Sequence, residues 1–290
     1  MNDVKIVFCG LSKNCGETLK KNLKFINKFI DTYKDLDIRS IVVESDSTDG
    51  SLEYLKKLEA KSSIELFIEN NLESTFPSRI ERIAICRNIG LNYIKKNYES
   101  LSGLIYVPYD NDIDLFLNTN ETKFMELIKS MFNNENISAL FPISDPYYYD
   151  IFALRAKGWV NYNAQKIVGK LKRNVKLFSF IWNYVFIFRK QLPPNKIKIL
   201  NVDSAFGGIG IYKLDNLSLS DLQYVVCKND KDTYSEHIEF NNKFQGLKIN
   251  PEWIIKAPFQ HVEYKSQSNF GKVKYILKTI KYDFQNLNKS

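Results

Sequence analysis

Two short acidic segments follow apolar stretches that have the composition of buried strands. Asp110 and Asp112 come directly after LIYVPY. Glu44, Asp46 and Asp49 lie where SIVV gives way to a polar turn. Residues i and i+2 of a strand point to the same face, so the Asp110 and Asp112 carboxylates can reach one cation. Such oxygen ligands suit Mg²⁺ or Mn²⁺, which also accept phosphate oxygens, and the segments therefore indicate a cation site able to hold a nucleoside diphosphate.

The Asp-x-Asp segment also has a simpler interpretation. A solvated turn would have the same sequence, and Asp114 offers a competing pair with Asp112. The apolar strand that ends at Asp110 favours the pair of Asp110 and Asp112. Pro108, just before the acidic turn, predicts a sheet edge or a local kink, because proline cannot donate to a strand ladder.

The other acidic segment could serve the turn alone. Asp46 or Ser47 could cap a helix that begins near Gly50, and turn residues need no further role. Glu44 is different because it still lies within the strand pattern and should be partly buried. Buried carboxylates usually have a partner, so we expect one for Glu44.

Strands alternating with helices are predicted over about the first 115 residues. Strand-like apolar runs occur at VKIVFCG, IRSIVVES, SIELFIEN and LSGLIYVPY, and the stretches between them have apolar residues at helical spacing. This alternation favours a mostly parallel, doubly wound sheet, in which ligands bind beyond the carboxyl ends of the strands. Both acidic segments are then expected to face one crevice. Further along, we predict a helix over 121–133, a strand over 138–143, and a close backbone approach within a strand at Gly207-Gly208.

The composition is that of a folded chain with an excess of positive charge. Hydrophobic residues make up 44% of the 290 residues, enough for a full core, and the net charge is +8. A basic protein favours anionic partners such as phosphorylated small molecules, lipid headgroups or nucleic acid. The lysines are scattered, and no zinc-finger, RNP or helix-turn-helix signature occurs, so we expect no nucleic-acid partner.

Cysteine spacing and hydrophobicity predict a cytoplasmic protein that is not secreted. The four cysteines form no CxxC motif, which favours reduced thiols. The N-terminus has too few apolar residues for a signal peptide, and the apolar run 177–188 is well below the ~20 residues of a spanning helix. Basic and aromatic residues at 170–190 and 269–284 would suit a peripheral membrane contact. An interior strand and a packed helix are the alternatives that we favour.

Six segments, taken in order, resemble a GT-A-fold glycosyltransferase. They are GLSKNCGETL, VESDSTDGS, RIERIAICRNIGL, YDND, SAFGGIGIYK and SEHIEFN. The chain is similar to the fungal capsule-associated mannosyltransferase family and to related bacterial and viral glycosyltransferases over about residues 5–263. The resemblance implies an α/β fold of the GT-A type, Rossmann-like, with a mostly parallel mixed central sheet flanked by helices.

The resemblance also implies the domain organisation and the ligands. A single glycosyltransferase domain would cover residues 1–265, with a nucleotide-binding half over about 1–115 and an acceptor-binding half over about 116–265. Residues 266–290 would form a basic amphipathic tail. The expected partners are a UDP- or GDP-sugar donor, a glycan acceptor, and Mn²⁺ or Mg²⁺ as cofactor.

Nine residues match positions that the family uses to bind the nucleotide sugar. Carboxylates can accept from a base N–H or a ribose hydroxyl, arginine forks suit diphosphate oxygens, and glycines would let a sugar approach the backbone. The matching residues are Glu44, Asp46, Arg79, Arg82, Arg87, Asn88, Asp110, Gly207 and Gly208.

The three arginines also have structural interpretations. Arg79 could pair with Glu73 or Glu81, and Arg82 could be solvated. For Arg87, which lies among apolar helical neighbours, burial with an acidic partner is the expectation.

The metal ligands and the acceptor-side acids follow from the same resemblance. Asp110 and Asp112 match the metal-binding pair, and His261 in PFQHVEY lies where related enzymes often supply a third ligand. Glu236 matches an acid at the start of a helix near the acceptor, and would be the general base if the enzyme inverts. If the enzyme retains, no side-chain base is needed. Asp203 is a second candidate acid.

Two rival functions remain open at this point. A nucleotidyltransferase acting on sugar phosphates shares the strand-end carboxylates, although it usually has a glycine-rich basic loop after the first strand. The other rival is a non-catalytic glycan- or membrane-binding module with a decayed site.

Overall fold

An eight-stranded mixed sheet forms the centre of the protein in a computed structural model. The model describes residues 4–145, 148–164, 166, 199–215, 217–225 and 235–257. The strands in these ranges are β1 (Lys5–Ser12), β2 (Asp37–Ser45), β3 (Glu65–Glu69), β4 (Leu104–Asp110), β5 (Ala139–Asp145), β6 (Leu200–Val202), β7 (Ile211–Lys213) and β8 (Leu247–Lys256). The helices are α1 (Gly16–Thr32), α2 (Ser51–Glu59), α3 (Leu72–Thr75), α4 (Arg79–Asn97), α5 (Glu121–Phe132) and α6 (Glu236–Asn241), with a 3₁₀ turn at Leu219–Asp221.

The strand order is β3-β2-β1-β4-β7-β5-β8-β6. β3, β2, β1 and β4 run parallel to one another, and β5 runs parallel to β8. β7 pairs antiparallel with β4 and β5, and β6 pairs antiparallel with β8. The predicted α/β fold with a mostly parallel mixed sheet flanked by helices is therefore confirmed.

Both faces of the sheet are covered by helices. On one face Val7 of β1 belongs to the same apolar cluster as Leu91 of α4. On the other, Phe8 clusters with Leu19 of α1 and Phe124 of α5. A parallel strand that is buried on both sides is apolar throughout, which explains why the strand signals were continuous rather than alternating.

The local predictions succeed in the regular segments. The helix expected over 121–133 is α5, and the strand expected over 138–143 is β5. Of the two interpretations of Pro108, the sheet edge is wrong, because β4 lies between β1 and β7, and the local kink stays a prediction. The expectation that Gly207-Gly208 lies within a strand is also wrong, since both residues belong to a turn before β7.

Three interpretations from the sequence fall outside the described residues. They concern His261, the basic and aromatic stretch 170–190, and the tail 266–290. Among the helices that the structure does describe, none has the length and apolar character needed to cross a membrane.

Candidate active site

A cavity of about 380 Å³ lies at the carboxyl ends of β1, β2 and β4, beside the start of α4. The side chains that can carry charge in its lining are Lys13, Glu73, Arg79, Arg82, Asp110 and Asp112. Ser45, at the end of β2, also lines it. The cavity is therefore where ligands of open parallel sheets bind, and it brings the tip of β4 to face cationic side chains.

The Asp-Asn-Asp turn is held by backbone contacts on both sides. The Asp110 N–H donates to the Gly208 carbonyl at 2.8 Å, and the Asn111 N–H donates to the Leu11 carbonyl at 3.0 Å. Asp110 and Asp112 both reach the cavity, as their i and i+2 spacing predicted. Their carboxylates thus project from a fixed strand end into one space.

The competing pair of Asp112 and Asp114 is not assembled in this cavity. Asp114 lies outside its lining and forms an ion pair with Lys21, with the Asp114 Oδ2 and Lys21 Nζ atoms 3.2 Å apart. Asp114 is thus a surface partner of α1, which makes it a matched control for substitutions of Asp112.

The Asp112 carboxyl has a perturbed acidity. Although Asp112 is exposed to solvent, desolvation of its carboxyl by the surrounding protein and, next in size, the nearby Asp110 charge raise its pKa to about 6. Arg79 and, more weakly, Arg87 act in the opposite direction on this pKa. The neighbouring Asp110 charge disfavours the ionised form of Asp112. A divalent cation binds that ionised form, and its positive charge would offset the repulsion between the two carboxylates.

We predict that Asp112→Asn stabilises the protein near pH 7.5 in the absence of divalent cations. The pKa of Asp112 in the folded protein, about 6, lies above its ordinary value of 3.8. The protonated carboxyl therefore stabilises the fold below about pH 3.8, and this contribution is lost as pH rises through about 6. Because solvent screens Asp112, the gain in Tm should be small, about 1–3 °C. Differential scanning fluorimetry should show the gain disappearing near pH 4, and a lower Tm for the variant at pH 7.5 would contradict this account.

The cationic wall of the cavity comes from the start of α4 and from the loop after β1. Arg79 makes no hydrogen bond or ion pair with the described residues and acts electrostatically on Asp112. The Arg82 guanidinium donates to the carbonyls of Phe76 at 2.6 Å and Pro77 at 3.0 Å, so Arg82 is not simply solvated. The positive N-terminal end of α4 lies here too, which adds to the attraction for an anion.

Lys13 is a functional candidate that the sequence did not single out. It follows β1 directly, and its Nζ atom lies 2.6 Å from Glu73 Oε2 across the cavity. Arg82 approaches the other Glu73 oxygen at 4.0 Å. The pairing expected between Arg79 and Glu73 is thus made by Lys13 and Arg82 instead. The sequence feature that could have identified Lys13 is its position directly after the first strand.

Glu44 and Asp46 are occupied by the loop that contains them. Glu44 is 1% exposed and accepts from the Ser47 N–H at 2.8 Å, so the expected burial and partner are both present. Asp46, in the left-handed region at φ 55°, accepts from the N–H groups of Asn71 at 2.6 Å and Glu73 at 3.0 Å. Neither residue lines the cavity. Their contact with a base or ribose stays a prediction.

The capping expectation for this loop needs correction. α2 begins after Gly50, which has no side chain to act as a cap, and the Ser51 N–H at its start donates to Asp49 Oδ1 at 3.0 Å. Asp46 instead bonds the first N–H groups of α3, as described above. The Asp49 carboxylate also accepts from the Gly16 N–H of α1 at 3.0 Å, and hydrogen bonds from Ser51, then from Gly16, lower the pKa of Asp49.

Arg87 is buried with acidic partners, as its apolar neighbours predicted. It is 1% exposed, and its guanidinium contacts Asp110 and Glu236. Arg87 is absent from the cavity lining. Arg87 therefore lies behind the Asp-x-Asp turn. This position does not favour direct contact between Arg87 and a diphosphate.

Asn88 holds two segments together. Its Nδ2 donates to the Tyr224 carbonyl at 2.9 Å, and its Oδ1 accepts from the Tyr224 N–H at 2.7 Å. The amide thus fixes the segment after the 3₁₀ turn against α4. A contact between Asn88 and a sugar hydroxyl stays a prediction.

Gly208 is required by packing. A Cβ atom there would lie 2.5 Å from Ile113 Cδ1 and 2.7 Å from the Tyr149 hydroxyl, and its φ is +91°. Gly207 has φ +72° and roomier surroundings, with 3.7 Å to its nearest neighbour, and its N–H donates to Asp150. The space beside Gly208, where a sugar was expected to approach the backbone, is occupied by the side chains of Ile113 and Tyr149.

The acceptor-side candidates differ in burial. Glu236 begins α6, as expected, and is 6% exposed. Asp203 follows β6, is exposed, and lies outside the cavity lining. His237 stacks on Phe206 with ring centroids 3.7 Å apart, and burial keeps its pKa well below the ordinary value. His237 is therefore a neutral imidazole packed against an aromatic ring.

Asp150 is an acidic residue that sequence reasoning missed. Its carboxylate accepts from the N–H groups of Gly207 at 3.1 Å and Ala153 at 3.3 Å. Burial and, more weakly, the charges of Glu236 and Asp110 raise the pKa of Asp150 to about 6. Asp150 lies in an irregular segment after β5, where no periodic pattern marks a side chain as inward-facing.

The carboxylates fit a divalent cation that also binds substrate oxygens. Within the described ranges no cluster of three or more His, Cys, Asp or Glu side chains forms a complete protein cage. Mg²⁺ and, by the same hard-ligand chemistry, Mn²⁺ are usually held by one or two carboxylates together with phosphate oxygens and water. Asp110 and Asp112 supply that number, beside free cavity volume. His261 lies outside the described residues, so its role as a third metal ligand stays a prediction.

Comparison with known proteins gives structural similarity only. No protein-family model and no curated protein matches the chain. S. aureus TarS 1-349 is 12% identical, with a TM-score of 0.45, and covers 98% of this chain and 66% of its own. The mannosyltransferase PcManGT from Pyrobaculum calidifontis, in complex with GDP-Man and Mn²⁺, is 12% identical with a TM-score of 0.46, covering 88% and 57%. M. tuberculosis glucosyl-3-phosphoglycerate synthase is 12% identical with a TM-score of 0.42, covering 88% and 72%.

This chain thus spans less than two thirds of the first two of these structures. The proteins named as mannosyltransferase and glucosyl-3-phosphoglycerate synthase handle sugars, and one is bound to a nucleotide sugar. The resemblance to the fungal capsule-associated family stays a prediction.

Proposed function

We propose that the protein is a metal-dependent glycosyltransferase of the GT-A type. It would transfer a hexosyl group from a UDP- or GDP-sugar to a glycan acceptor. The observation that carries this proposal is the cavity in which Asp110 and Asp112 face Arg79, which has no ion-pair or hydrogen-bond partner among the described residues. Two carboxylates and a guanidinium in one cavity provide for a cation and for an anion in the same space, as a metal-bound diphosphate requires.

Asp110 and Asp112 would hold the cation, which when bound neutralises negative charge on the departing diphosphate. Arg79 would bind diphosphate oxygens from the opposite wall, with Lys13 and Arg82 beside it. Lys13 is held by Glu73 and Arg82 by two backbone carbonyls, so these two side chains can stabilise charge that develops on the leaving group with little reorganisation. We expect this electrostatic contribution to supply most of the rate enhancement.

The acceptor would bind on the side of the Asp-x-Asp turn where Glu236 and Asp150 lie. Either carboxylate could take the acceptor proton in an inverting reaction. Glu236 carries an arginine partner, whereas Asp150 has a raised pKa and accepts only from backbone N–H groups among the contacts described above. In a retaining reaction their task would be to orient the acceptor.

A thermal-shift panel of UDP, GDP and CDP, each with and without Mn²⁺, tests the proposal. UDP and GDP are the first probes because solved structures similar to this chain contain UDP or GDP-Man. We expect one nucleoside diphosphate to raise Tm only when Mn²⁺ is present, with a stabilisation of about 2.7 kcal/mol at one hundred times Kd. Release of that nucleotide from its sugar conjugates then identifies the donor.

Three other outcomes would contradict the proposal. The absence of any shift would exclude a nucleotide site. A preference for nucleoside triphosphates would favour a nucleotidyltransferase. Tight diphosphate binding with no nucleotide release from any UDP-, GDP- or CDP-sugar, with or without glycan acceptors, would favour a non-catalytic binding module.

A further inference from the structure

A buried arginine connects the two acidic parts of the site. Arg87 Nη2 lies 2.8 Å from Asp110 Oδ1, and Arg87 Nε lies 3.2 Å from Glu236 Oε1. Asp110 ends β4 and Glu236 begins α6, so the contact joins two elements that are 126 residues apart in sequence (236 minus 110). Arg87 of α4 thus contacts both Asp110, which lines the cavity, and Glu236, the acid expected on the acceptor side.

Aromatic rings close the other sides of this guanidinium. The Arg87 Cζ atom lies 4.6 Å from the centroid of the Phe206 ring and 5.7 Å from that of Tyr224. His237 stacks on the nearer of these rings, Phe206, with the two ring centroids 3.7 Å apart. Such packing leaves the guanidinium little freedom to change direction, and it excludes the water that would weaken the ion pairs.

The free energy needed to bury these charged groups is large for a residue with a purely structural role. Burying an arginine and a carboxylate costs several kcal/mol per ion, and apolar residues of similar volume often stabilise a fold as well or better. The Arg87 Nη1 atom is in addition buried without a hydrogen-bond partner among the described residues. A buried donor that is left unsatisfied calls for an explanation beyond stability.

We infer that Arg87 is a positioning residue that fixes the Asp110 and Glu236 carboxylates relative to one another. The inference rests on the proposed function, because it assigns these two acids to the donor and acceptor sides of one reaction. Arg87 would hold one oxygen of Asp110 and leave the other to the cavity. The charge of Arg87 would also let Glu236 stand close to the acidic turn without prohibitive repulsion.

The position of Arg87 separates this role from donor binding. Arg87 is 1% exposed and does not line the cavity, whereas Arg79, two helical turns earlier, does. A residue that acts only by orienting catalytic groups should affect kcat much more than donor affinity. Misplacing reacting groups by about 1 Å can lower a rate about a hundredfold.

The test compares Arg87→Lys with Arg79→Gln, using the donor that wild-type protein turns over. Lysine keeps the charge of Arg87 but lacks the planar fork, so it cannot hold both acids in the same geometry. We expect Arg87→Lys to lower kcat about a hundredfold while the donor KM and the Kd for nucleotide with Mn²⁺ stay within about threefold. We expect Arg79→Gln to raise the donor KM and this Kd by about tenfold or more.

A second measurement does not depend on turnover. In metal-free protein, Arg87→Gln should lower Tm, because it leaves Glu236 buried without its counter-charge. Adding Glu236→Gln to Arg87→Gln should restore part of the lost Tm, so the two changes should be non-additive in the double-mutant cycle. If Arg87→Gln fails to fold, Phe206→Leu, which removes the ring over the guanidinium, should lower kcat about tenfold with nucleotide Kd kept.

The outcomes distinguish this inference from the proposed function. Wild-type protein that binds no nucleoside diphosphate with Mn²⁺ contradicts the proposed function, while the cycle still tests whether Arg87 couples to Glu236. Additive changes in Tm overturn the inference. So does an Arg87→Lys enzyme that keeps its kcat, or one that loses donor affinity in the manner of Arg79→Gln.

Discussion

Asp112→Asn should lower kcat by about a thousandfold or more and leave the fold intact. Asp112 is one of two carboxylates that line the cavity at the tip of β4, and its amide replacement cannot serve as an anionic ligand. Loss of a divalent cation removes several kcal/mol of charge stabilisation from the leaving diphosphate, and about 4 kcal/mol corresponds to a thousandfold in rate. Nucleotide release from the identified donor measures the rate, and far-UV circular dichroism with thermal melting checks the fold.

Asp114→Asn is the matched control for this experiment. Asp114 lies two residues further on and is paired with Lys21 outside the cavity, so its replacement should leave kcat and the Mn²⁺-dependent shift in Tm within about twofold of wild type. If Asp112→Asn retains normal, Mn²⁺-dependent turnover, Asp112 is not a ligand of the metal. If Asp114→Asn shows the larger defect, the competing pair is the functional one.

Gly208→Ala should destabilise the protein by about 2–5 kcal/mol and lower its activity. The added Cβ atom would lie 2.5 Å from Ile113 Cδ1, and the backbone at Gly208 has φ +91°. A left-handed non-glycine residue costs about 1–3 kcal/mol, and an overpacked core costs a similar amount. Because the Gly208 carbonyl accepts from the Asp110 N–H, relief of the clash would also displace the acidic turn. Urea denaturation measures the loss of stability.

Gly158→Ala separates the two contributions. Gly158 has φ +82°, close to that of Gly208, but a Cβ atom there would meet nothing within 4 Å. This control should lose only the backbone contribution, about 1–3 kcal/mol, and should keep its activity. Equal losses of stability for the two variants would show that the packing around Gly208 is looser than described. That result would reopen the possibility that a ligand occupies this space.

The regular half of the chain could be predicted because its signals are local. Alternating strands and helices determine which ends of β1, β2 and β4 meet, and the meeting point determines where Asp110 and Asp112 lie. The burial of Arg87 followed from the apolar residues around it in α4. Its two acidic partners did not, because Asp110 and Glu236 are brought together by sheet order, which no sequence spacing reveals.

The roles expected for individual side chains were harder to predict. Asp46 and Asn88 carry polar groups that suit a nucleotide sugar, but the structure shows them bonded to backbone groups of Asn71, Glu73 and Tyr224. Such loop contacts compete with ligand contacts for the same donors and acceptors, and they depend on how distant segments are placed. Asp150 was missed because its backbone donor Gly207 is 57 residues away, so no local sequence pattern indicates the contact.

A crystal structure with Mn²⁺ and the preferred nucleoside diphosphate tests the central claim most directly. Anomalous diffraction at the manganese edge locates the metal independently of the model of the protein. We predict a single strong peak on the order of 2 Å from a carboxylate oxygen of Asp112 and from diphosphate oxygens, with Arg79 against the same diphosphate. A nucleotide that binds elsewhere, or a manganese peak remote from the tip of β4, would contradict the proposed site.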